Sequence, residues 1–509
     1  MKKISLLFLI AAFAGFVSVS CSDDPEEKVV PPDVESVAGI EPSYAKGQHE
    51  YLEITPDVSL SNDNEQGVTY EWNIDYKIVG TEKALSYKCS ELGDFKGYFK
   101  ASSSTGAKIV EFTLRVSSPY DRGLLLLSET SEGSMLSFKR LDVMEIPVSP
   151  SAFKDNNPTL SLGKTPLALC WKGEGITSPN AASLTDEDYE VVIGTGDPTT
   201  VYTLDSNTLE VKNTIVYDGA GEFHPNRILC PLGVQEVLWQ GALYFVGGGR
   251  DYIMTGEKTF VLPEEDEKLP DGAQIADHTC SLITEYDDRV RVYFNNSTKK
   301  LLYVSAVFGL EVEEGSTVCD VEPMNLMACD GMYYNQRYDP GHVMLVGSNG
   351  NSVKVFRFAT SVGIADTEEK LSEIDATGHI LPTSATGVNP VKPMLYYSRG
   401  GDIYRLNYDG GNFDASPYIS LGGDFDVKQI VFNPFDANTV YIAADNLGEA
   451  GEMKASVFVY DVSDNTSAEK IFEGHRAGGS VKQLIYKGNG KEYESIPESG
   501  QSALRKLFR

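Results

Sequence analysis

Two of the three tryptophans lie beside glycine-containing segments, where an indole ring can contact a ligand. Trp171 lies in the segment CWKG, and Trp239 lies in the segment LWQG. An exposed indole can stack on a sugar ring or hold a peptide side chain. Both residues are therefore candidate ligand-binding residues. The alternative, which we favour, is that both rings are buried in the core, as we expect for the third, Trp72.

The signatures of common enzyme classes are missing from the sequence. The G-x-S-x-G motif of a nucleophile elbow is absent. The H-E-x-x-H motif of zinc proteases is also absent, and the histidines stand singly at positions 49, 224, 278, 342, 379 and 475. The glycine run 247–249 lacks the following lysine of a phosphate-binding loop. We therefore expect a protein that is not an enzyme, with no catalytic residues, no bound metal and no cofactor.

Six cysteines follow Cys21, at positions 89, 170, 230, 280, 319 and 329. No two of them form a C-x-x-C pair, and none has the spacing to histidine of a structural zinc site. We expect buried free thiols. A disulfide that closes the short loop between Cys319 and Cys329 is the alternative.

The chain of 509 residues has a formal net charge of −31. Nucleic-acid-binding proteins need a basic surface for the phosphates, so we expect no nucleic-acid partner. The acidity is compatible with solubility beside an anionic cell surface and with cationic partners. It does not by itself indicate a binding site.

The N-terminal segment has the order of a secretory signal. Lys2 and Lys3 precede an apolar run over 4–19, and Ser20 and Cys21 follow it. Residues 1–20 are therefore predicted to be a signal peptide, and residues 21–36, which are acidic and contain a proline pair, an extended tether. The region after the tether is rich in short β segments.

The junction after the apolar run resembles a bacterial lipoprotein box, which implies cleavage before Cys21 and lipidation of that cysteine. The next residues, Ser22, Asp23 and Asp24, resemble the acidic signal with which Bacteroidetes-type lipoproteins reach the outer face of the outer membrane. The resemblance implies a protein that is anchored to outer-membrane lipid through Cys21 and faces the cell exterior. An ordinary cleaved signal with a chance cysteine is the alternative.

Residues 37–118 have the pattern of a small all-β domain. Alternating segments at Tyr51–Ile54, Thr69–Ile74 and Ile109–Val116 are separated by turn-forming residues. About 80 residues of this kind fit a β-sandwich of the Ig type.

Residues 120–493 repeat a strand-turn-strand unit seven times, at intervals of about 45 to 60 residues. The copies lie at 124–141, 191–216, 242–261, 290–307, 343–358, 394–408 and 440–462. This period predicts a β-propeller of about seven blades, although six or eight blades, or two consecutive sandwiches, are also compatible with it. We expect a short helix at 365–376 and a polar tail at 494–509.

The order of the motifs in the N-terminal region resembles that of a known family. The segment Tyr70-Glu71-Trp72 is followed by Gly97-Tyr98, then by Phe112–Val116 and by the strand Gly123–Ser128. This order is similar to that of the PKD-like family of Bacteroidetes lipoproteins, which implies an Ig-like, PKD-type sandwich followed by a longer C-terminal region.

The resemblance also implies partners and a function. Related lipoproteins accompany SusC/SusD-type (RagA/RagB-type) outer-membrane importers and neighbouring lipoproteins. We therefore expect a non-enzymatic accessory or binding subunit of such a nutrient importer, handling oligopeptides or glycans. The alternatives are a glycan hydrolase or lyase within the propeller and a structural surface adhesin. Buried carboxylates that converge at the propeller axis would favour the enzyme.

Overall fold

The computed structural model describes residues 31–62, 64–171, 190–217, 227–229, 236–239, 242–246, 259–261, 272–283, 289–305, 311–329, 341–360, 368–433 and 436–488. The predicted signal peptide, the polar tail and most of the tether lie outside these residues. The chain divides into two compact units, Met1–Ser117 and Ser118–Arg509. Each unit is described by itself.

The first unit consists of β-strands in its described part. They are β1 (Val34–Ala38), β2 (Ser43–Gly47), β3 (Tyr51–Ile54), β4 (Asp57–Leu60), β5 (Thr69–Ile74), β6 (Lys77–Gly80), β7 (Leu85–Lys88), β8 (Gly93–Ser102) and β9 (Ala107–Ser117). The strands predicted at Tyr51–Ile54 and Thr69–Ile74 are confirmed, and the predicted strand at 109–116 lies within β9. Strand β1 begins at Val34, inside the segment that was expected to be tether.

One apolar core joins the sheets of the first unit. A five-stranded sheet has the order β2-β9-β8-β5-β6, and two-stranded ladders pair β1 with β4 and β3 with β7. Trp72 is fully buried in this core, as expected, with its ring centroid 4.5 Å from that of Phe99. Its indole N–H donates to the carbonyl of Glu82 at 3.0 Å, so the one polar group of the side chain is satisfied.

The second unit contains one short helix and many strands in its described part. Its first elements are β10 (Gly123–Thr130), β11 (Gly133–Arg140), α1 (Ala152–Asn156), β12 (Thr165–Trp171), β13 (Glu190–Gly196), β14 (Thr200–Asp205), β15 (Val211–Tyr217), β16 (Arg227–Leu229), β17 (Glu236–Trp239), β18 (Ala242–Val246), β19 (Thr259–Val261), β20 (Cys280–Ile283), β21 (Arg289–Asn295), β22 (Lys300–Ser305) and β23 (Glu311–Glu314). They are followed by β24 (Glu322–Ala328), β25 (Gly341–Asn349), β26 (Ser352–Thr360), β27 (Glu369–Asp375), β28 (Thr386–Val388), β29 (Met394–Arg399), β30 (Asp402–Asn407), β31 (Asn412–Phe413), β32 (Ile419–Ser420), β33 (Phe425–Asn433), β34 (Asp436–Asn446), β35 (Ala455–Asp461), β36 (Glu469–Gly478) and β37 (Ser480–Lys487).

Most of these strands form antiparallel groups of four that are consecutive in sequence. The groups β20–β23, β24–β27 and β33–β36 are separate four-stranded sheets, and β28–β32 form a similar sheet. The groups β12–β15 and β16–β19 join into one sheet through a short parallel pairing of β15 with β19. The second unit is therefore an all-β, β-propeller-like structure.

The C-terminal strand of the second unit returns to its N-terminal strands. Strand β37 pairs antiparallel with β10, which also pairs with β11, so this sheet has the order β11-β10-β37. The pairing joins residues that are more than 350 positions apart in the chain, such as Leu125 and Ile485. The two ends of the unit are thereby held in one sheet.

Several predicted strand-turn-strand repeats are confirmed as paired hairpins. They include β10–β11, β21–β22, β25–β26, β29–β30 and β34–β35. The helix expected at 365–376 is wrong, because Glu369–Asp375 form strand β27 at the outer edge of a sheet. No helix among the described residues is long and apolar enough to cross a membrane.

The cysteines differ in part from the expectation. Cys89, Cys280, Cys319 and Cys329 are not disulfide-bonded, so the disulfide considered between Cys319 and Cys329 is not formed. Cys170 is disulfide-bonded, and its partner lies outside the described residues. The expectation of free thiols is therefore wrong for Cys170. Burial raises the pKa of the Cys319 thiol to about 12 and also raises that of Cys89.

Thiol reactivity tests this assignment. Cys89, Cys319 and Cys329 are buried, and the raised pKa of the first two thiols further limits thiolate formation, so all three should remain unmodified by iodoacetamide in the folded protein at pH 8 and become fully modified in denaturant. Cys170 should be modified only when denaturant is combined with a reductant. Peptide mapping by mass spectrometry reads each site separately. Modification of Cys170 without reductant would contradict the disulfide.

Candidate functional site

One edge strand from each group of strands in the second unit lies next to the corresponding strand of the neighbouring group, in series. Strand β20 contacts β24, β24 contacts β28, β28 contacts β33, and β33 contacts β37, which in turn contacts β12; β12 then contacts β16. We call these seven strands the inner ring. In a propeller the innermost strands surround the central axis, so the inner ring is the candidate functional site of this unit.

Four strands of the inner ring contain a β-bulge at a corresponding position. The ladder with the second strand of each sheet skips one residue, which is Leu167 in β12, Met324 in β24, Lys428 in β33 and Lys482 in β37. A bulge bends the strand and re-aims the side chain, and bulges are over-represented next to functional sites. The bulge is therefore a repeated structural feature of the inner strands.

A side-chain amide follows the bulge in three of these strands, and in β24 and β37 it links neighbouring inner strands. The Gln483 amide donates to the carbonyl of Leu169 at 2.8 Å and accepts from its N–H at 3.0 Å. The amide of Asn325 donates to the carbonyl of Thr386 at 3.2 Å and to its hydroxyl at 2.9 Å. These bonds satisfy backbone groups at the inner edges of sheets, where no further strand is available to pair.

A buried carboxylate connects β34 to the beginning of β37. Asp445 is buried and accepts hydrogen bonds from the Ser480 hydroxyl at 2.6 Å and from the Val481 N–H at 2.8 Å. Charge-assisted bonds of this kind are stronger than neutral ones. Asp445 therefore links the end of β34 to the beginning of β37.

Two lysines occupy the bulges of the adjacent strands β33 and β37. The Lys428 ammonium lies 2.5 Å from a carboxylate oxygen of Asp426, whereas Lys482 is exposed. Along the described inner strands, carboxylates occur only at Glu322 and Asp426, each in the first two residues of its strand. The chemistry of these strands is therefore hydrogen bonding by amides and ion pairing by lysine, and not a pair of convergent buried carboxylates.

Trp171 is a core residue of the second unit. It ends β12, is only 2% exposed, and packs with Leu125, Leu169 and Ile485. The ammonium of Lys487 lies 5.8 Å from the centroid of the indole ring. The ring is not available for stacking on a ligand, so the favoured expectation of a core position is confirmed for Trp171 and the alternative of a binding platform is wrong.

The other predicted site residues have no described side chains. The backbone of Trp239 ends β17, but its side chain lies outside the description. Cys21, Ser22, Asp23 and Asp24 lie outside the described residues altogether. Among the residues that are described, no group of three or more histidine, cysteine, aspartate or glutamate side chains is placed to hold a metal ion.

The inner-ring residues carry a sequence signal that the prediction missed. Strand β33 contains Val427-Lys428-Gln429-Ile430-Val431, and β37 contains the nearly identical Val481-Lys482-Gln483-Leu484-Ile485. The equivalent parts of β12 and β24 read PLALC and PMNLM. A search for repeats among the first strands of the blades finds this pattern, whereas a search for catalytic motifs does not.

Comparison with known proteins finds similar structures but no family. The chain matches no known family model and no curated protein. A quinonprotein alcohol dehydrogenase-like protein from Bacteroides thetaiotaomicron is 14% identical over 90% of this chain and 99% of its own, with a TM-score of 0.45. A DUF4784 family protein from Bacteroides caccae is 9% identical over 89% of this chain and 99% of its own, with a TM-score of 0.30.

A third similar structure is the WD40 domain of SCAP from fission yeast, which is 8% identical over 60% of this chain and 73% of its own, with a TM-score of 0.33. The identities and TM-scores of all three are too low to assign a function or a cofactor to this chain. The dehydrogenase-like name of the first neither establishes nor excludes an enzymatic activity here.

The link between β37 and β12 can be tested by replacing its amide. In Gln483→Glu the carboxylate has no N–H to donate to the Leu169 carbonyl and places a charge beside it. We expect the free energy of unfolding to fall by about 1–3 kcal/mol. Urea denaturation followed by circular dichroism measures the change. The exposed neighbour provides a matched control, because Lys482→Gln should change stability by no more than about 0.5 kcal/mol. Equal stability of the two variants would contradict the link.

Proposed function

We propose that this protein is an exported, lipid-anchored binding subunit with no catalytic activity of its own. The leader 1–20 and the segment from Cys21 to Asp24 support export and lipidation. The observation that carries the export step is the disulfide at Cys170, because disulfides persist in oxidising compartments outside the cytosol. Its location is the outer membrane, facing the cell exterior.

The architecture in this proposal is a PKD-type sandwich followed by a seven-bladed propeller. The shared core of the first unit supports the sandwich. The six consecutive groups β12–β15, β16–β19, β20–β23, β24–β27, β28–β32 and β33–β36, together with the closing sheet β11-β10-β37, support the count of seven. The last strand, β37, thereby completes the first blade.

A binding role is supported by the chemistry of the inner ring. Gln483 and Asn325 use their amides to hold neighbouring strands, and Asp445 fastens the last strand, so these groups serve the scaffold. A rigid scaffold of this kind presents its loops to partners, as binding proteins commonly do. Together with the family resemblance, this supports an accessory subunit of a SusC/SusD-type importer that holds oligopeptides or glycans near the transporter.

Lipidation and surface exposure can be separated by two sets of variants. Cys21→Ala should abolish labelling with radioactive palmitate and release the protein from the membrane fraction. The triple variant Ser22→Ala, Asp23→Ala, Asp24→Ala should retain the label but lose sensitivity to protease added to intact cells. Wild-type protein should have both properties. A labelled Cys21→Ala protein would contradict the anchor, and a protease-sensitive triple variant would contradict the export signal.

The accessory role is tested by mild-detergent purification of the tagged protein from native outer membranes. We expect a SusC/SusD-type pair in stoichiometric amounts, identified by mass spectrometry. An unrelated tagged lipoprotein of similar abundance is the control for nonspecific recovery. Recovery of the protein alone would refute a stable complex. Release of sugars from a glycan panel by the purified protein would favour the enzyme instead.

A further inference from the structure

The sheet that closes the second unit has an incomplete outer edge. It contains three strands, β11-β10-β37, whereas β20–β23, β24–β27 and β33–β36 each form a sheet of four. The position of a fourth strand beside β11 is taken by the segment 142–150, which we call the strap. The strap is not a strand, and it makes one isolated bridge, between Ser149 and Phe138.

Few backbone contacts hold the strap against β11. The Phe138 N–H donates to the Ser149 carbonyl at 2.9 Å, and the Ser149 N–H donates to the Phe138 carbonyl at 2.8 Å. The Ser137 hydroxyl donates to the carbonyl of Pro150 at 3.1 Å. Pro147, two residues before Ser149, has no N–H to continue the ladder on that side, and on the other side the chain enters α1 after Ser151.

Lys139 of β11 provides the remaining hold on the strap backbone. Its side chain is 1% exposed, and its ammonium donates to the carbonyls of Met144 at 2.9 Å and Ile146 at 2.6 Å. The ammonium also lies 4.0 Å from the centroid of the Phe472 ring. The ammonium of Lys139 therefore binds backbone carbonyl oxygens, whatever side chains the bound segment carries.

The charge of Lys139 is maintained at neutral pH. Burial lowers the pKa of the Lys139 ammonium to about 8, while the carboxylates of Glu145 and Asp142 oppose that shift. Asp142 itself pairs with Arg140 at 2.6 Å. Lys139 is therefore mainly protonated at pH 7 and offers three N–H donors to whichever segment lies along β11.

The side chains of the strap contribute a modest apolar contact. Met144 and Val148 pack at the margin of the core cluster that includes Leu124 and Tyr486, whereas Ile146 is 40% exposed. The strap thus combines a short backbone pairing, the lysine contact, two apolar side chains and the ion pair of its first residue, Asp142, with Arg140. An extended peptide with small apolar residues can make the backbone, lysine and apolar contacts and can also continue the ladder that Pro147 interrupts.

We propose that the strap is an internal substitute for a ligand, and that β11 binds an extended oligopeptide as an added antiparallel strand when the strap is displaced. Lys139 would bind peptide carbonyls, and Phe138 would pair with the peptide backbone. This proposal rests on the proposed function, of which it specifies the oligopeptide ligand. The binding itself is measured on the purified protein, so it stands or falls separately from the association with an importer.

The probe is a fluorescein-labelled peptide amide, Thr-Val-Thr-Val-Thr-Val, and fluorescence anisotropy measures its dissociation constant. Ser149→Pro removes the N–H with which the strap holds Phe138, so this variant should bind the probe roughly five-fold more tightly than the wild type, the equivalent of one hydrogen bond. Because the strap and the probe share the Lys139 contact, Lys139→Met weakens both alike and should leave the affinity for the probe close to the wild-type value.

Two controls make the outcome decisive. A probe with proline in place of each valine lacks the N–H groups for strand addition and should not bind. Lys370→Met on the distant strand β27 should bind as the wild type does, and circular dichroism checks that every variant is folded. Absence of binding by both the wild type and folded Ser149→Pro, equal affinity of these two proteins, or equal binding of the proline probe would each overturn the proposal.

Discussion

The antiparallel pairing of β37 with β10 is the constraint on which the second unit depends. Sheets of consecutive strands can each form locally, but a ring needs one pairing between its two ends. That pairing closes a loop of more than 350 residues, from Leu125 to Ile485. Closing so long a loop has a large entropic cost, although the cost grows only slowly with further length. The contacts around β37 must together offset it.

Residues of β37 make stabilising contacts on both faces of the strand and at its edge, and these contacts offset the entropic cost of closing the loop. Ile485 packs in the core shared with β12, while Leu484 and Tyr486 pack in the core shared with β34 and β35. Gln483 extends the bonding to β12, and Asp445 holds the beginning of the strand. At its end, the buried ammonium of Lys487 donates to the carbonyls of Tyr120 and Asp121 at 2.6 and 2.7 Å. A buried cation is tolerated because these dipoles replace its water.

The sequence predicts the hairpins well because their signal is local. Each needs only an apolar alternation and a turn, and β25–β26 has both around Asn349-Gly350-Asn351. Glu369–Asp375 was predicted to be helical because Glu, Lys and Leu favour helices, but pairing with β26 overrides a weak intrinsic preference. The bulges, the Gln483 link and the bond at Cys170 depend on residues brought together from distant parts of the chain, and one sequence contains no direct measure of that proximity.

The outer edges of the sheets are protected in two different ways. The outermost strands β27 and β36 share the pattern E-K-[L/I]-x-E, in which Lys370 pairs with Glu373 and Lys470 pairs with Glu473. Paired charges beside the exposed Leu371 and Ile471 disfavour the addition of another strand. The ion pair of β11 joins its last residue, Arg140, to Asp142 of the strap, and the strap covers the edge of this strand. Charged side chains at an edge disfavour the addition of any further strand. A segment that covers an edge prevents the addition only of strands that bind more weakly than the segment itself. The edges of β27 and β36 therefore exclude strand addition, whereas the edge of β11 allows it when the strap is displaced.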